Sequence, residues 1–509
     1  MKIPKLKITV FDILFAVLSG GLTALSLPKF DLSFLAWVSL IPLFFLICKK
    51  TPKQAFTLGW IAGISFYAIL IYWIPAVPAH YGNLSLFLSL IIYMVLVLFL
   101  SLFWAFFSYF ASKINKSFPR LIFILLPFLW VSFEYIITHI FTGFPWGLIG
   151  YSTYENIYFI QIASITGIYG LSFLLVLFQS LFVLSIKFKK KYPFFIALIL
   201  ILLVHLGGFL RIKHNSSSQK TIQAAVIQGN VSSDIQWNQL TSNEIRSYFD
   251  DHMELSTKAI SEGAQIIIWP EFTVPLCFSC NYGIYREFQQ ELLNYVNKHG
   301  CTLVVGTNEK TLSSGQTEYH NTALCIRPDL SISHYYKNHL VPFGEYIPYK
   351  NFFSFIKNFT HAIGEITPGK QLTLHKFNGY KFATPICFEI IFPDLVRRFT
   401  KKGANFLVTI TNDGWYGESS APFQHFSMAV LRAVENRRYL LRAATTGISG
   451  IIDPYGRIVS KTSLMTKAFL VEDISAYDRI TFYVKYGDYL SLISLTLTGL
   501  FFILAFIKR

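Results

Sequence analysis

Charge is scarce in this chain: only 14% of its 509 residues are Asp, Glu, Lys or Arg, against 53% hydrophobic. That balance excludes a soluble protein of this size and makes a polytopic membrane protein the first expectation. No His/Cys cluster stands at ligand spacing, so neither a metal nor any other cofactor is expected. There is no internal or inverted repeat and no low-complexity tract, which argues against the repeat-built architecture of many transporters. No small-x-small cleavage site ends the first apolar run, so 11–27 reads as a retained helix, not a secretory leader, despite Lys2, Lys5 and Lys7 before it.

What is present in abundance is apolar sequence. Eight stretches are long enough to span or nearly span a bilayer core, which takes about 20 residues per helix. They lie at 11–27, 35–47, 55–74, 84–110, 121–140, 165–186, 194–210 and 489–507, the second being short enough to be tilted or re-entrant. The net charge of +16 divides unevenly: residues 1–213 and 488–509 carry +13, while 214–487 carry only +3. A nucleic-acid partner is therefore not expected, because the basic excess marks topology. Lys49, Lys50 and Lys53, then Lys113, Lys116 and Arg120, then Lys187 and Lys189 to Lys191, and finally Lys508 and Arg509 fall at every second loop. Lys29, Arg211 and Lys213 are the exceptions. By the positive-inside rule both termini are cytoplasmic and the segment before the last span lies outside, in the periplasm of a Gram-negative cell.

Three regions follow: a seven-span bundle at 1–213, an outer domain at 214–486, and a final span at 487–509 with its end in the cytoplasm. The outer domain alternates strand candidates (221–227, 264–269, 302–306, 322–326, 382–386, 406–411, 450–452) with helix candidates (243–262, 285–298, 393–402, 422–441). Such alternation predicts a layered α/β domain. The stretch 349–363, rich in Phe352, Phe353, Phe355 and Phe359, is either a buried connector or a lid that dips into the bilayer interface.

Three residues suggest chemistry. In Thr384-Pro385-Ile386-Cys387-Phe388-Glu389-Ile390 a cysteine stands where an apolar run meets a helix, where helix amides would favour its thiolate and the Phe388 N–H would hold an oxyanion. A lone cysteine in an apolar run is more often inert packing. Glu271 follows Trp269-Pro270 at a strand end and is a candidate general base if partly buried, or else a solvated loop residue. Lys337, among tyrosines, is either a snorkelling surface lysine or a stabiliser of developing negative charge. Together they make thiol acyl transfer a coherent reading. Cys277 and Cys280 form a CxxC pair, read as a structural disulfide on an oxidising side. Glu134 and His139, within a span, read as helix-packing or interfacial groups.

Several motifs give these residues a family context. Trp269-Pro270-Glu271, the run from Tyr336 through Lys337, Glu345 and Tyr346 to Pro348, Ile386-Cys387-Phe388-Glu389, and Thr411-Asn412-Asp413-Gly414-Trp415-Tyr416-Gly417 occur in order, with Thr142-Gly143-Phe144-Pro145-Trp146 in the membrane part. The chain resembles the apolipoprotein N-acyltransferases, over essentially its whole length. The resemblance implies a nitrilase-like α-β-β-α sandwich on an eight-helix membrane bundle in the bacterial inner membrane. It implies Glu271 as base, Lys337 as oxyanion-stabilising lysine and Cys387 as nucleophile. Glu345, Glu389 and Phe388 would support them, and Trp237, Trp415, Tyr416, Tyr346, Phe352 and Phe353 would line substrate or lid contacts. Phe388 stands where the family often has tyrosine. The implied reaction moves the sn-1 acyl chain of a phospholipid, phosphatidylethanolamine foremost, through a thioester to the α-amine of the diacylglyceryl-cysteine of an apolipoprotein, in a monomeric enzyme. Two other readings are a membrane-tethered nitrilase-type amidase that uses water, and a lipid transporter with a regulatory outer domain.

Overall fold

The computed structural model describes residues 7–213, 221–231, 241–273, 277–278, 283–313, 315–348 and 366–508. Trp237, Cys280, Phe352, Phe353 and the aromatic stretch 349–363 lie outside the described residues. The chain forms two compact units: Met1–Ala76, Ser85–Asn215 and Tyr486–Arg509 in one, Val77–Leu84 and Ser216–Lys485 in the other.

The first unit is helical. All eight expected apolar stretches appear as helices: Val10–Leu25, Ile41–Lys49, Pro52–Leu70, Leu86–Ser117, Ile122–His139, Ile168–Phe188, Tyr192–Lys213 and Tyr489–Ile507. Among the described residues, five are both long and apolar enough to cross a membrane, fewer than the eight anticipated: Leu86–Ser117, Ile122–His139, Ile168–Phe188, Tyr192–Lys213 and Tyr489–Ile507. Val10–Leu25 has 16 residues and Ile41–Lys49 has 9. Pro52–Leu70 is diluted by Lys53, Gln54 and several small residues. The helix Tyr192–Lys213 leaves Phe195, Ile199, Leu202, Leu203 and Leu206 exposed, an outer face suited to lipid. Helices approach closely where residues are small: a Cβ added to Gly59 would lie 2.3 Å from the Ser108 hydroxyl. Buried Glu134 accepts hydrogen bonds from Trp130 Nε1 at 2.9 Å and the Ile149 N–H at 3.0 Å, a packing role, while His139 Nδ1 lies 2.9 Å from the Tyr135 carbonyl.

Among the described residues the second unit has twelve strands: β1 (Thr221–Gln228), β2 (Ile266–Ile268), β3 (Thr302–Ser313), β4 (Gln316–Ile326), β5 (Ile332–Tyr336), β6 (His375–Phe377), β7 (Tyr380–Ala383), β8 (Phe406–Thr411), β9 (Leu440–Ala444), β10 (Gly450–Ile452), β11 (Ile458–Lys461) and β12 (Ala468–Ser475). They form two six-stranded sheets, ordered β12-β1-β2-β3-β4-β5 and β11-β10-β9-β8-β7-β6. The centre of each is parallel (β1-β2-β3 and β7-β8-β9) and the edges antiparallel. Central strands are covered on both faces, which is why Ile266-Ile267-Ile268 is an unbroken apolar run and 406–411 is buried throughout, Thr409 and Thr411 included. Alternate residues of the first sheet (Ala225, Ile227, Ile267, Leu303, Val305, Leu324) pack under the helices Ser242–Ser261 and Gly283–His299 through Phe249, Leu255, Phe288 and Leu292. The helices Pro393–Lys401 and Ala421–Asn436 accompany the second sheet, giving the α-β-β-α sandwich.

Several boundaries differ from the sequence expectation, β3 and β4 being longer than 302–306 and 322–326 and β7 ending at Ala383, and two further differences concern the helices. The helix over 422–441 ends at Asn436, because Arg437 turns into the left-handed region (φ 52°) and β9 starts at Leu440. No α-helix starts at Cys387 either: a 3-10 turn, Cys387–Ile391, comes first and the α-helix begins at Pro393.

Candidate active site

Glu271 lies just beyond β2. Trp269 anchors that strand end: its backbone N–H donates to the Val304 carbonyl at 2.8 Å, and its indole N–H donates to Ser256 Oγ at 2.8 Å in the helical layer. The chain then crosses β3 where a side chain would not fit, since a Cβ on Gly306 would lie 2.5 Å from the Pro270 carbonyl oxygen and 2.6 Å from the Glu271 Cα. Only a glycine admits so close a backbone crossing. The turn delivers the Glu271 carboxylate into the interior, 3% exposed, where Oε1 accepts from Asn321 Nδ2 at 2.7 Å and Oε2 from the Asn412 N–H at 2.8 Å.

Lys337 follows β5, its N–H donating to the Asn321 carbonyl at 2.9 Å. Its ammonium, also fully buried, lies 2.9 Å from Glu345 Oε1 and 3.4 Å from Glu271 Oε1. Asn321 Nδ2 donates to both carboxylates, reaching Glu345 Oε1 at 2.8 Å. Burial alone would depress the lysine, but Glu345, Glu271 and Cys387 together hold it well above its usual range. It is a fixed cation.

Cys387 is buried at the turn after β7, where Ile386 still bridges to Ile410 of β8. Its backbone is left-handed, φ 51°, a conformation that few non-glycine residues adopt. Burial first, then the Glu271 charge, push the thiol well above its ordinary range, with Lys337 opposing. The sequence expectation of a thiolate favoured by helix amides is thereby corrected: no α-helix starts there, and the resting group is a thiol that needs a base.

Glu389 ties the two sheets together at this point. Oε1 accepts the Tyr335 hydroxyl at 2.7 Å and the N–H groups of Asn338 (2.7 Å) and His339 (3.0 Å), while Oε2 accepts the Ile386 N–H at 2.7 Å. One carboxylate thus fixes both the Lys337 loop and the Cys387 turn. Glu345 does the same locally, its Oε2 accepting the Val341 N–H at 2.8 Å.

Of the remaining expected residues, Phe388 is buried against His339 and Phe392. Tyr416 is half-buried, and its hydroxyl is held well above its usual range by burial and by the Cys387 and Asp413 charges. Trp415 packs edge-on against Tyr81, with ring centroids 4.6 Å apart, and the Tyr81 hydroxyl donates to the Gly414 carbonyl at 3.0 Å. Tyr346 is half-buried and its carbonyl accepts the Phe343 N–H at 2.8 Å. Cys277 is disulfide-bonded. No group of three or more potential metal-binding side chains occurs among the described residues.

Sequence reasoning missed Asn321, Asn412, Asp413, His425 and Arg442. Asp413 is buried and accepts from Thr411 Oγ1 at 2.9 Å and Arg442 Nη2 at 2.6 Å. Burial would raise it, but Arg442 and His425 hold it far below the usual carboxylate range. Asn412 and Asp413 stand inside the motif 411–417, and a polar pair between a fully buried strand and a turn is the available signal.

The arrangement can hold a thiol, a carboxylate and a cation in one buried place, which suits acyl transfer through a tetrahedral oxyanion. Comparison with known proteins points the same way. Residues 19–181 match the model of the apolipoprotein N-acyltransferase N-terminal domain, and residues 223–479 that of the carbon-nitrogen hydrolases. The chain is 36% identical over 490 residues to apolipoprotein N-acyltransferase of Geobacter metallireducens, covering 94% of this chain and 92% of that protein. It is 32% identical over 493 residues to the protein of the same name from Wigglesworthia glossinidia brevipalpis, covering 93% and 94% respectively. An amidase structure from Nesterenkonia aligns with 18% identity and a TM-score of 0.39, covering 55% of this chain and 99% of that one. A two-part match of this extent, at more than a third identity to a full-length relative, makes the chain a member of the apolipoprotein N-acyltransferase family.

Proposed function

We propose that the protein transfers the sn-1 acyl chain of a phospholipid, phosphatidylethanolamine foremost, to the α-amine of the diacylglyceryl-cysteine that begins an apolipoprotein, with Cys387 carrying the acyl group as a thioester. Glu271 takes the thiol proton as Sγ attacks the ester carbonyl carbon, and Lys337 offsets the charge on the carbonyl oxygen. Collapse breaks the ester C–O bond, and the departing lysophospholipid alkoxide takes the proton from Glu271. The acceptor amine then attacks the thioester and Glu271 takes its proton. The C–S bond breaks, and the thiolate is reprotonated.

The observation that carries this reading is the buried contact of Lys337 with Glu271 and Glu345 beside a thiol on which both the Glu271 and Lys337 charges act. Both substrates are lipid-anchored, which gives the apolar helices their purpose. The reading assigns 1–213 and 487–509 to the bacterial inner membrane and 214–486 to a catalytic domain on its periplasmic side, in a monomeric enzyme. Trp237, Phe352, Phe353, Tyr346, Trp415 and Tyr416 are assigned to substrate or lid contacts.

The test is incubation of the purified full chain with phosphatidylethanolamine, followed by mass spectrometry. An acyl adduct on Cys387, absent from Cys387→Ala and strongly reduced in Lys337→Ala, is expected. Lysophospholipid release from wild type with Cys387 unmodified would refute the mechanism.

A further inference from the structure

Behind the candidate nucleophile lies a buried polar cluster that the reaction just described does not use. His425, on the helix Ala421–Asn436, has its Nε2 3.2 Å from the Cys387 carbonyl oxygen. Its Nδ1 lies 2.9 Å from Asp413 Oδ1 and 3.1 Å from Arg442 Nη2. Arg442 also donates from Nη2 to Asp413 Oδ2 at 2.6 Å and from Nε to the Ile448 carbonyl at 3.1 Å. His425, Asp413 and Arg442 are all essentially inaccessible to solvent, so the hydrogen bonds of the cluster are made within the protein.

The proton on the imidazole can be located by elimination. The Cys387 carbonyl only accepts, so Nε2 must carry a hydrogen. That condition is met by the neutral Nε2–H tautomer, with Nδ1 accepting from Arg442, and by the imidazolium, with Nδ1–H donating to Asp413. The neutral Nδ1–H tautomer fails at the carbonyl, where two lone pairs would face each other; the neutral Nε2–H tautomer leaves its Nδ1 lone pair 2.9 Å from Asp413 Oδ1, a contact that the imidazolium satisfies. Burial and the neighbouring Arg442 pull the imidazole below its ordinary range while Asp413 opposes them, and in both remaining forms the Nε2–H donates to the Cys387 carbonyl.

A donor on that carbonyl acts on the opposite side of the same peptide unit. The peptide is planar and trans, so its N–H points away from its C=O. Holding the Cys387 oxygen against His425 therefore fixes the direction of the Phe388 N–H. Hydrogen bonds in series also polarise one another, so a donor at the oxygen makes the N–H a better donor. We propose that His425 is a positioning residue that orients and polarises the Cys387–Phe388 peptide so that the Phe388 N–H binds the oxyanion formed at Cys387. The proposal rests on Cys387 being the acyl-carrying nucleophile.

The experiment compares His425→Met with His425→Gln, which are similar in length and differ in the amide donor. Acyl-adduct formation on Cys387 from phosphatidylethanolamine is measured against iodoacetamide alkylation of the same thiol, a displacement at carbon that develops no carbonyl oxyanion. His425→Met should acylate at least about tenfold more slowly, since one direct oxyanion donor is worth roughly 10²–10³ and this effect is indirect. Alkylation of His425→Met should stay within about twofold of wild type and His425→Gln should recover most of the acylation rate, the effect being confined to the oxyanion donor. Should the Met variant fail to fold, His425→Asn, whose amide is too short to reach the carbonyl, takes its place. Equal acylation by wild type and the donor-less variant would overturn the proposal. So would a joint fall of acylation and alkylation that Gln does not restore. If wild type forms no adduct on Cys387, the assignment of the nucleophile fails, and the role of His425 with it.

Discussion

Glu389 Oε1 accepts the backbone N–H of Asn338 at 2.7 Å, joining the turn that carries Cys387 to the loop that carries Lys337. The same carboxylate takes three further donors, from Tyr335, His339 and Ile386. All four partners donate, so a carboxylate is required. In Glu389→Gln the amide nitrogen must face one donor with another. A buried donor left unpaired costs about 1–3 kcal/mol, so this variant should unfold at lower temperature and lose acylation together. A Glu389→Gln protein with wild-type melting and acylation would show that the four-donor bridge is dispensable.

The charge beside the thiol has a sign that can be read directly. Glu271 raises the Cys387 thiol and Lys337 lowers it, both beneath the dominant effect of burial. Glu271→Gln should therefore make Cys387 alkylate faster at mildly alkaline pH, while acyl transfer falls by roughly 10²–10⁴ with loss of the base. Lys337→Met should slow alkylation and acylation alike. Alkylation slowed in Glu271→Gln would contradict the assignment of charges.

Two buried histidines set an acid limit on stability. Burial pulls His252 down from 6.5 to about 4 and His375 from 6.5 to about 3. Both are neutral in the fold, whereas the unfolded chain takes up their protons below about 6.5. Stability is therefore fully present above that pH and is lost as pH falls toward the folded values, by up to about 1.4 kcal/mol per pH unit per histidine. Replacing both with glutamine should lower stability at neutral pH yet flatten its decline between pH ~6.5 and ~4, the window in which these groups titrate. The slope of the urea midpoint against pH measures this, and an unchanged slope in the double variant would remove these residues from the account.

Gly306 should tolerate no side chain. A methyl there meets the Pro270 carbonyl and the Glu271 Cα, so Gly306→Ala must shift the base from its partners. A displacement of about 1 Å at a reacting group can cost on the order of 10²-fold in rate. Acylation assays on the folded variant check this.

Much of this site was legible in the sequence because its parts sit in short motifs at strand ends. Glu271 and Cys387 each follow an apolar run that marks a strand, whereas Lys337 follows the edge strand β5 and was legible from its motif alone. What escaped detection depends on pairing across the chain. Asn321 lies within β4 and reaches Glu271 and Glu345 only because β4 and β5 pair, Thr322 standing opposite Tyr336. Strands β5, β6, β9, β11 and β12 carry too little apolar alternation to stand out, being edge strands or short segments whose partners are remote. Arg442 shows the limit most clearly. An arginine within β9 reads as exposed, yet it is fully buried because Asp413, from a different element, meets it there.

The left-handed backbone at Cys387 also has a consequence for evolution. An L-residue in that region gives up roughly 1–2 kcal/mol that glycine would not. Selection for a robust fold and selection for a working thiol therefore pull this one codon in opposite directions. Alanine and glycine at 387 would be equally inert, but the glycine chain should be the more durable of the two. Lineages released from the need for acyl transfer would be expected to drift toward glycine first.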